Sequence, residues 1–155
     1  MAGRIEARLQ ELGITLPTPM PPIANYVPYV ITGDLVVVSG QVPAVDGKIA
    51  ITGKVSAGLS IEQGQAAARQ CFVNVLAHLK VACGGDLDRV RQVVRLGGFV
   101  ASPPEFTQHA QVMNGASDAA VAVFGEAGRH ARTTIGVPSL PADAAVEVEG
   151  MFRIA

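Results

Sequence analysis

The sequence predicts an α+β fold: a two-layer sandwich in which a mixed β-sheet carries two long helices on one face. Segments with strand patterning and segments with helical period follow the order strands, helix, strand, helix, strand, strand. Helices gathered on one side of a mixed sheet give an α+β sandwich of two layers. The chain has 155 residues, the size of one domain with room for a buried core.

Residues 3–13 put Ile5, Leu9 and Leu12 on one side at helical spacing, and Gly13 closes that helix. Residues 16–23 hold Pro17, Pro19, Pro21 and Pro22, which remove backbone donors and keep the chain extended. Residues 1–23 therefore read as a helix and a proline-rich linker ahead of a domain of residues 24–155, a single domain overall. Residues 26–31 and 34–41 predict consecutive strands that turn at Thr32-Gly33-Asp34, and Val36, Val37 and Val38 form the run expected of a strand covered on both faces. Ser39-Gly40 ends the run, either as a bulge or where the backbone must come close to a ligand. Asp46-Gly47 predicts a hairpin, with residues 48–55 as its returning strand.

Ser60 and Gln63 form a capping box at the start of a helix whose Ala68, Cys71, Phe72, Val75, Leu76 and Leu79 share a face. Gly84-Gly85 ends it. A strand follows over 90–101, stopped by Ser102-Pro103-Pro104, and then a helix over 106–124 with Phe106, Ala110, Met113, Ala120, Val121 and Phe124 on its apolar face. Ser117 interrupts that face, where its hydroxyl could bond back to a carbonyl one turn earlier. His78 and His109 are expected on helix surfaces. His130, beside the last strands, either edges a pocket or meets solvent.

Residues 131–149, ARTTIGVPSLPADAAVEVE, predict two strands joined by a turn at Leu140-Pro141-Ala142-Asp143. Alternation puts Arg132, Thr134 and Gly136 on one face of the first strand and Glu147, Glu149 and Met151 on one face of the second. Paired as an antiparallel hairpin, these strands would set Arg132 against Glu147 or Glu149. That is either a cross-strand ion pair or the seat of a small carboxylic acid.

A formal net charge of −1 gives no field that would draw in nucleic acid or an anionic membrane surface. With 49% hydrophobic and 16% charged residues and a mean hydropathy of +0.35, the chain is more apolar than a solitary domain requires, which burial between subunits would explain. Cys71 and Cys83 have no CxxC spacing and no histidine cluster, so neither a zinc site nor a disulfide framework is expected. The first residues carry charge throughout and no stretch is long and apolar enough to span a bilayer, so a cytoplasmic location is expected. There is no P-loop, no G-x-S-x-G and no dinucleotide fingerprint.

The pattern R-x-x-x-x-V-x-x-L-P-x-x-A-x-V-E-V-E from Arg132 to Glu149, together with VVVSGQVP at 36–43, resembles the RidA/YjgF family of reactive-intermediate (imine/enamine) deaminases, as a divergent branch. The resemblance implies a bacterial chorismate mutase-like fold, a homotrimer with clefts between subunits, and no cofactor or metal. It implies that Arg132 anchors a substrate carboxylate, a role that the planar guanidinium fork suits. Glu147 would position the attacking water, with Glu149 structural. Ser39 and Gly40 would line the pocket, joined by Tyr26 (or Tyr29, since the family's Gly-Pro before the tyrosine is replaced by Ala24-Asn25) and by Asn114. Thr134 stands where the best-known branch has cysteine, so thiol chemistry is not expected. The implied reaction is hydrolysis of small 2-imino acids to 2-oxo acids and ammonia. A carboxylate-binding protein without turnover is the alternative, and an endoribonuclease activity the weaker one.

Overall fold

The computed structural model describes residues 2–19, 21–22 and 24–155; Met1, Met20 and Ile23 of the N-terminal helix and linker lie outside them. In chain order the elements are α1 (Arg4–Glu11), β1 (Tyr29–Thr32), β2 (Leu35–Gln41), β3 (Ala44–Val45), β4 (Lys48–Ile49), β5 (Lys54–Val55), β6 (Gly58–Leu59), α2 (Ile61–Ala82), β7 (Val90–Ala101), α3 (His109–Phe124), β8 (Ala131–Val137) and β9 (Val146–Ile154). Five strands form one mixed sheet in the order β1-β2-β9-β7-β8. All neighbours are antiparallel except β7 and β8. The α+β two-layer class read from the sequence is the observed one.

Alternation builds the core. Val36 and Val38 of β2, Val93, Leu96 and Val100 of β7, and Val146, Val148 and Phe152 of β9 are all buried beneath the helices. They meet Cys71, Phe72, Val75, Leu76 and Leu79 of α2 and Val112, Met113, Ala116 and Ala120 of α3. Burying a side chain of the size of Phe72 or Leu76 contributes about 1.5–3 kcal/mol. The Ser60–Gln63 capping box forms at the start of α2, with Gln63 N–H donating to Ser60 Oγ (3.1 Å) and Ser60 N–H to Gln63 Oε1 (2.8 Å). Among the described residues no layer covers the opposite sheet face. Val37 is only half-buried there, and Val30 and Ile135 are about half exposed.

α1 joins the same core through Ile5 and Leu9. Its first turn has no cap of its own, and Asp88, in the tight turn after α2, supplies one: Arg4 N–H and Ile5 N–H each donate to its carboxylate at 2.8 Å. Those backbone donors, Ile5 first, hold the Asp88 carboxyl below its ordinary range. Stability from this contact is present above the ordinary aspartate pKa and lost as pH falls through the lowered one. Asp88→Ala is expected to cost about 1 kcal/mol and to speed amide exchange in α1 without affecting α2, as measured by hydrogen exchange.

Four sequence expectations are corrected. β8 and β9 are not a hairpin, because β7 lies between them and pairs with both. β7, α3 and β8 form a strand–helix–strand crossover, which leaves β8 parallel to β7 on the outer edge. The eight residues 138–145 then carry the chain past β7 to the inner position of β9. The hairpin at Asp46-Gly47 does form, with both residues at positive φ (51° and 79°). However, only Lys48–Ile49 returns along Ala44–Val45, and residues 50–53 turn away. The first strand begins at Tyr29 rather than 26, just after Pro28. α3 begins at His109 and buries Val112, Met113, Ala116, Ala119, Ala120, Val123 and Phe124, leaving Ala110 and Val121 exposed.

Candidate functional site

Arg132 pairs in register with Leu96, and Leu96 with Gly150, so all three point to the helix-covered face. Glu147 pairs with Phe99 and points to the open face, as does Ile135 on the far side of Phe99. The two groups that the expected hairpin would have joined therefore stand on opposite faces of the sheet, and within one chain they do not meet. Each nevertheless lies in a structured setting.

The first setting is the crevice between the edge strand β8 and α3. α3 comes close to the sheet here because β7 carries Gly98, where a Cβ would collide with Met113 Sδ. That approach brings two turns of α3 over Arg132. Arg132 Nη1 donates to Asn114 Oδ1 at 2.9 Å and to Ser117 Oγ at 3.1 Å, and Nη2 makes a longer contact, 3.4 Å, with the Ala110 carbonyl. Both Nη1 hydrogens are thereby used. Nε–H and the second Nη2–H have no hydrogen-bond partner among the described residues, and a guanidinium can present such a pair of donors to a carboxylate. Two residues on, Thr134 turns the same way, and its Oγ1 is out of contact with water and has no hydrogen-bond partner among the described residues. Gly136, the next in the row, lies against the His109 imidazole, which meets Phe106 edge-on at 5.2 Å between centroids.

The second setting centres on the bulge in β2. Val38 pairs with Gly150 and Gln41 with Val148, so three steps along β2 oppose two along β9, and Ser39-Gly40 takes up the extra residue. A Cβ on residue 40 would lie 2.6 Å from Glu147 Oε1, so glycine is what allows that carboxylate to rest on the β2 backbone. Of the two sequence alternatives the bulge is observed, and what the backbone approaches closely here is Glu147 of the same chain. Ser39 Oγ donates to the Val27 carbonyl at 2.7 Å, so the hydroxyl is used locally. The Glu147 carboxyl is pushed above its ordinary range, first by burial and second by the charge of Glu149. Glu149 itself pairs with Arg95 at 3.3 Å, the structural role expected of it.

Gly40 also borders a cavity of about 560 Å³, together with Tyr26, prolines 17, 19, 21 and 22, and Asn74 and His78 of α2. Of the two tyrosines it is Tyr26, more than half exposed, that reaches this space; Tyr29 lies in β1 and packs against the core. Neither Arg132 nor Glu147 lines it. His78 is not on the helix surface as expected: it is 4% exposed, and burial lowers its pKa. Asn74 beside it donates to the Val42 and Ala44 carbonyls at 2.9 and 3.0 Å. Both cysteines are buried, and burial is the first cause that raises each thiol's pKa, so neither is a ready nucleophile.

Two further residues join the site: Ser117, read from sequence only as a break in an apolar face, and His130, for which a pocket edge was one of two readings. Ser117 does not bond back along its helix but accepts from Arg132, and His130 lies within 2.9 Å of that same hydroxyl. Spacing could have revealed both. Asn114 and Ser117 are three apart on a helix, and His130, Arg132 and Thr134 alternate toward one face. Among the described residues no group of three metal-ligating side chains occurs, and no helix is long and apolar enough to cross a membrane.

Comparison with known proteins agrees with this architecture. The chain is 49% identical over 154 residues to Protein TCP17 of Trypanosoma cruzi, covering 99% of this chain and 96% of that one. The crystal structure of Atu1372 from Agrobacterium tumefaciens, a protein of unknown function, superposes with a TM-score of 0.92 at 50% identity, covering 97% of this chain and 92% of the other. A putative endoribonuclease from Shewanella oneidensis gives 0.94 at 35% identity over 98% and 100%. The YjgF gene product of Escherichia coli, at 24% identity, shares the fold with a TM-score of 0.62 over 88% and 93%. The family profile described as "YjgF/chorismate_mutase-like, putative endoribonuclease" matches residues 6–152. With the family profile matching residues 6–152 and relatives of 35–50% identity aligned over nearly the whole length, the chain belongs to the YjgF/chorismate mutase-like family.

Proposed function

We propose that the protein hydrolyses small 2-imino acids to 2-oxo acids and ammonia, in a site completed by a second copy of the chain. The observation that carries this reading is the Arg132 guanidinium, fastened to α3 by Nη1 and more loosely by one Nη2 hydrogen, while Nε–H and the second Nη2 hydrogen have no partner among the described residues. An open fork of that shape suits a carboxylate. The half-covered carboxylate of Glu147, with its raised pKa, suits a base that collects a proton from water.

The chemistry balances without a cofactor. Glu147 takes a proton from water as the oxygen bonds to the iminium carbon, and the C=N π pair moves to nitrogen. The resulting carbinolamine receives that proton on its amine from Glu147. The C–N bond then breaks, ammonia leaves with the bonding pair, and the hydroxyl proton passes to it, leaving the carbonyl and ammonium. Because the iminium carbon is already electrophilic, holding substrate and water in place supplies most of what is needed.

Arg132 and Glu147 lie on opposite faces of one sheet, and the open face carries half-exposed Ile135, in the same cross-strand row as Glu147, and Val30, in the row of Val37 and Met151. A homotrimer would cover those side chains and bring one chain's Glu147 toward the next chain's β8 edge. Generating 2-iminobutyrate in place and following its loss tests the reaction: the wild type accelerates it, and no acceleration overturns the reading. Mixing tests the shared site. Arg132→Ala and Glu147→Gln chains, each inactive alone, should recover about a quarter of wild-type activity when refolded together, since random assembly makes that share of sites whole. No recovery, or a monomeric mass in solution, counts against it. Binding of 2-oxobutyrate without turnover would favour the carrier alternative. A net charge of −1 offers little to RNA, so RNA cleavage that survives purification would be unexpected.

A further inference from the structure

We infer that Ser117 and His130 are positioning residues: they set the rotation of the Arg132 guanidinium, so that its Nε/Nη2 edge faces a ligand carboxylate. The inference rests on the reading of Arg132 as a carboxylate anchor. Its geometric premise can be checked with no ligand present.

One acceptor on Nη1 would leave the guanidinium free to swing about a single hydrogen bond. Two acceptors, Asn114 Oδ1 at 2.9 Å and Ser117 Oγ at 3.1 Å, use both Nη1 hydrogens and fix its plane. Ser117 accepts well only if its own hydrogen points elsewhere. His130 Nε2, 2.9 Å away, is where that hydrogen can go.

The far side of the ring fixes the direction. His130 Nδ1 is 2.6 Å from the Gly128 carbonyl, which can only accept, so Nδ1 donates there and Nε2 is left to accept from the Ser117 hydroxyl. The hydrogen bonds therefore run one way, from Arg132 to Ser117, from Ser117 to His130, and from His130 to Gly128. Gly128 is buried and lies against the Ala120 and Val121 backbone of α3. The relay thus passes through Ser117 of α3 and ends at Gly128, which packs back against the same helix, and Arg132 inherits the rigidity of α3 although it projects from an edge strand. A carboxylate fork loses its bidentate match when turned by a few tens of degrees, so this support bears on affinity.

The test reads the guanidinium directly. In a ¹H–¹⁵N spectrum the Arg132 Nε–H signal, assigned by its loss in Arg132→Ala, should be sharp in the wild type. It should broaden or shift in Ser117→Ala and His130→Ala, and survive in Ser117→Thr, which keeps the hydroxyl. The ring of His130 should show its proton on Nδ1. In the same proteins, affinity for 2-oxobutyrate by calorimetry should fall about tenfold in Ser117→Ala and stay within about twofold in Ser117→Thr. KM for the imine should rise with it while kcat changes less.

An Arg132 signal and a 2-oxobutyrate affinity unchanged in both alanine variants would overturn the inference. So would a Ser117→Thr protein as impaired as Ser117→Ala, since volume rather than the hydroxyl would then matter. Failure of the deaminase reading looks different: the wild type leaves the imine untouched, while the Arg132 signal still reports whether the relay holds.

Discussion

Arg132→Ala is expected to lower kcat/KM for 2-iminobutyrate hydrolysis about 10³-fold. The open Nε/Nη2 edge can make two charge-assisted hydrogen bonds to the substrate carboxylate, each worth about 1.5–3 kcal/mol. Together that is about 3–6 kcal/mol of transition-state stabilisation, or roughly 10²- to 10⁴-fold in rate. The loss should divide between a higher KM and a lower kcat, because a substrate held loosely at one end also presents its imine carbon badly to water. Arg132→Lys keeps the charge but not the fork, and its single ammonium cannot serve Asn114, Ser117 and a ligand in the same plane. It should recover only part of the rate. Neither substitution should unfold the protein: Arg132 is half-buried at a sheet edge, and its partners Asn114 and Ser117 remain within reach of water. A circular dichroism melt shifted by no more than a few degrees would separate loss of the anchor from loss of the fold. Kinetics unchanged in Arg132→Ala would remove the anchor from the mechanism.

How much of this site can be read from sequence follows from what fixes each part. Local rules placed the elements: the Ser60–Gln63 box, the positive φ at Asp46-Gly47, and the strand over 90–101 depend on neighbours in the chain, and they occur where the pattern puts them. Alternation also sorted Arg132, Thr134 and Gly136 from Thr133 and Ile135, because side-chain period needs no knowledge of partners. What alternation cannot give is which strand lies alongside. Two adjacent strands with a proline turn between them suggest a hairpin, yet the crossover through α3 places β7 between them. One wrong neighbour was enough to put Arg132 and Glu147 on the same face. The buried histidine shows a related limit. His78 sits on the face of α2 that the N-terminal proline segment approaches, and nothing in the helical period of α2 alone reports that cover. Ser117 was visible only as a break in an apolar face, because its partners Arg132 and His130 come from the other side of the crossover.

Glu147→Gln is expected to abolish hydrolysis and, at neutral pH, to stabilise the fold. The loss of rate follows from removing the base: a positioned carboxylate that takes the water proton contributes about 10²- to 10⁴-fold, and an amide cannot accept that proton. The gain in stability follows from the sign of the pKa shift. Burial, and then Glu149, hold the Glu147 carboxyl above its unfolded value, so between the two pKa values the folded chain binds more protons than the unfolded one. Stability contributed by this group is therefore complete below the unfolded pKa and is lost as pH rises through the folded one. At pH 7 the wild type carries an ionised carboxylate in a place that disfavours it. Glutamine keeps the shape against Gly40 without the charge. Chemical denaturation across pH 4 to 8 should show the wild type losing stability relative to Glu147→Gln as pH rises, with the two converging at the acid end. The activity of the wild type should rise over the same interval, with an apparent pKa above that of an ordinary glutamate, because the ionised form that destabilises the fold is the one that works. The two curves crossing in one pH window would tie the base to this carboxylate. A stability difference that does not depend on pH, or a rate that rises in some other window, would assign the proton transfer to a different group.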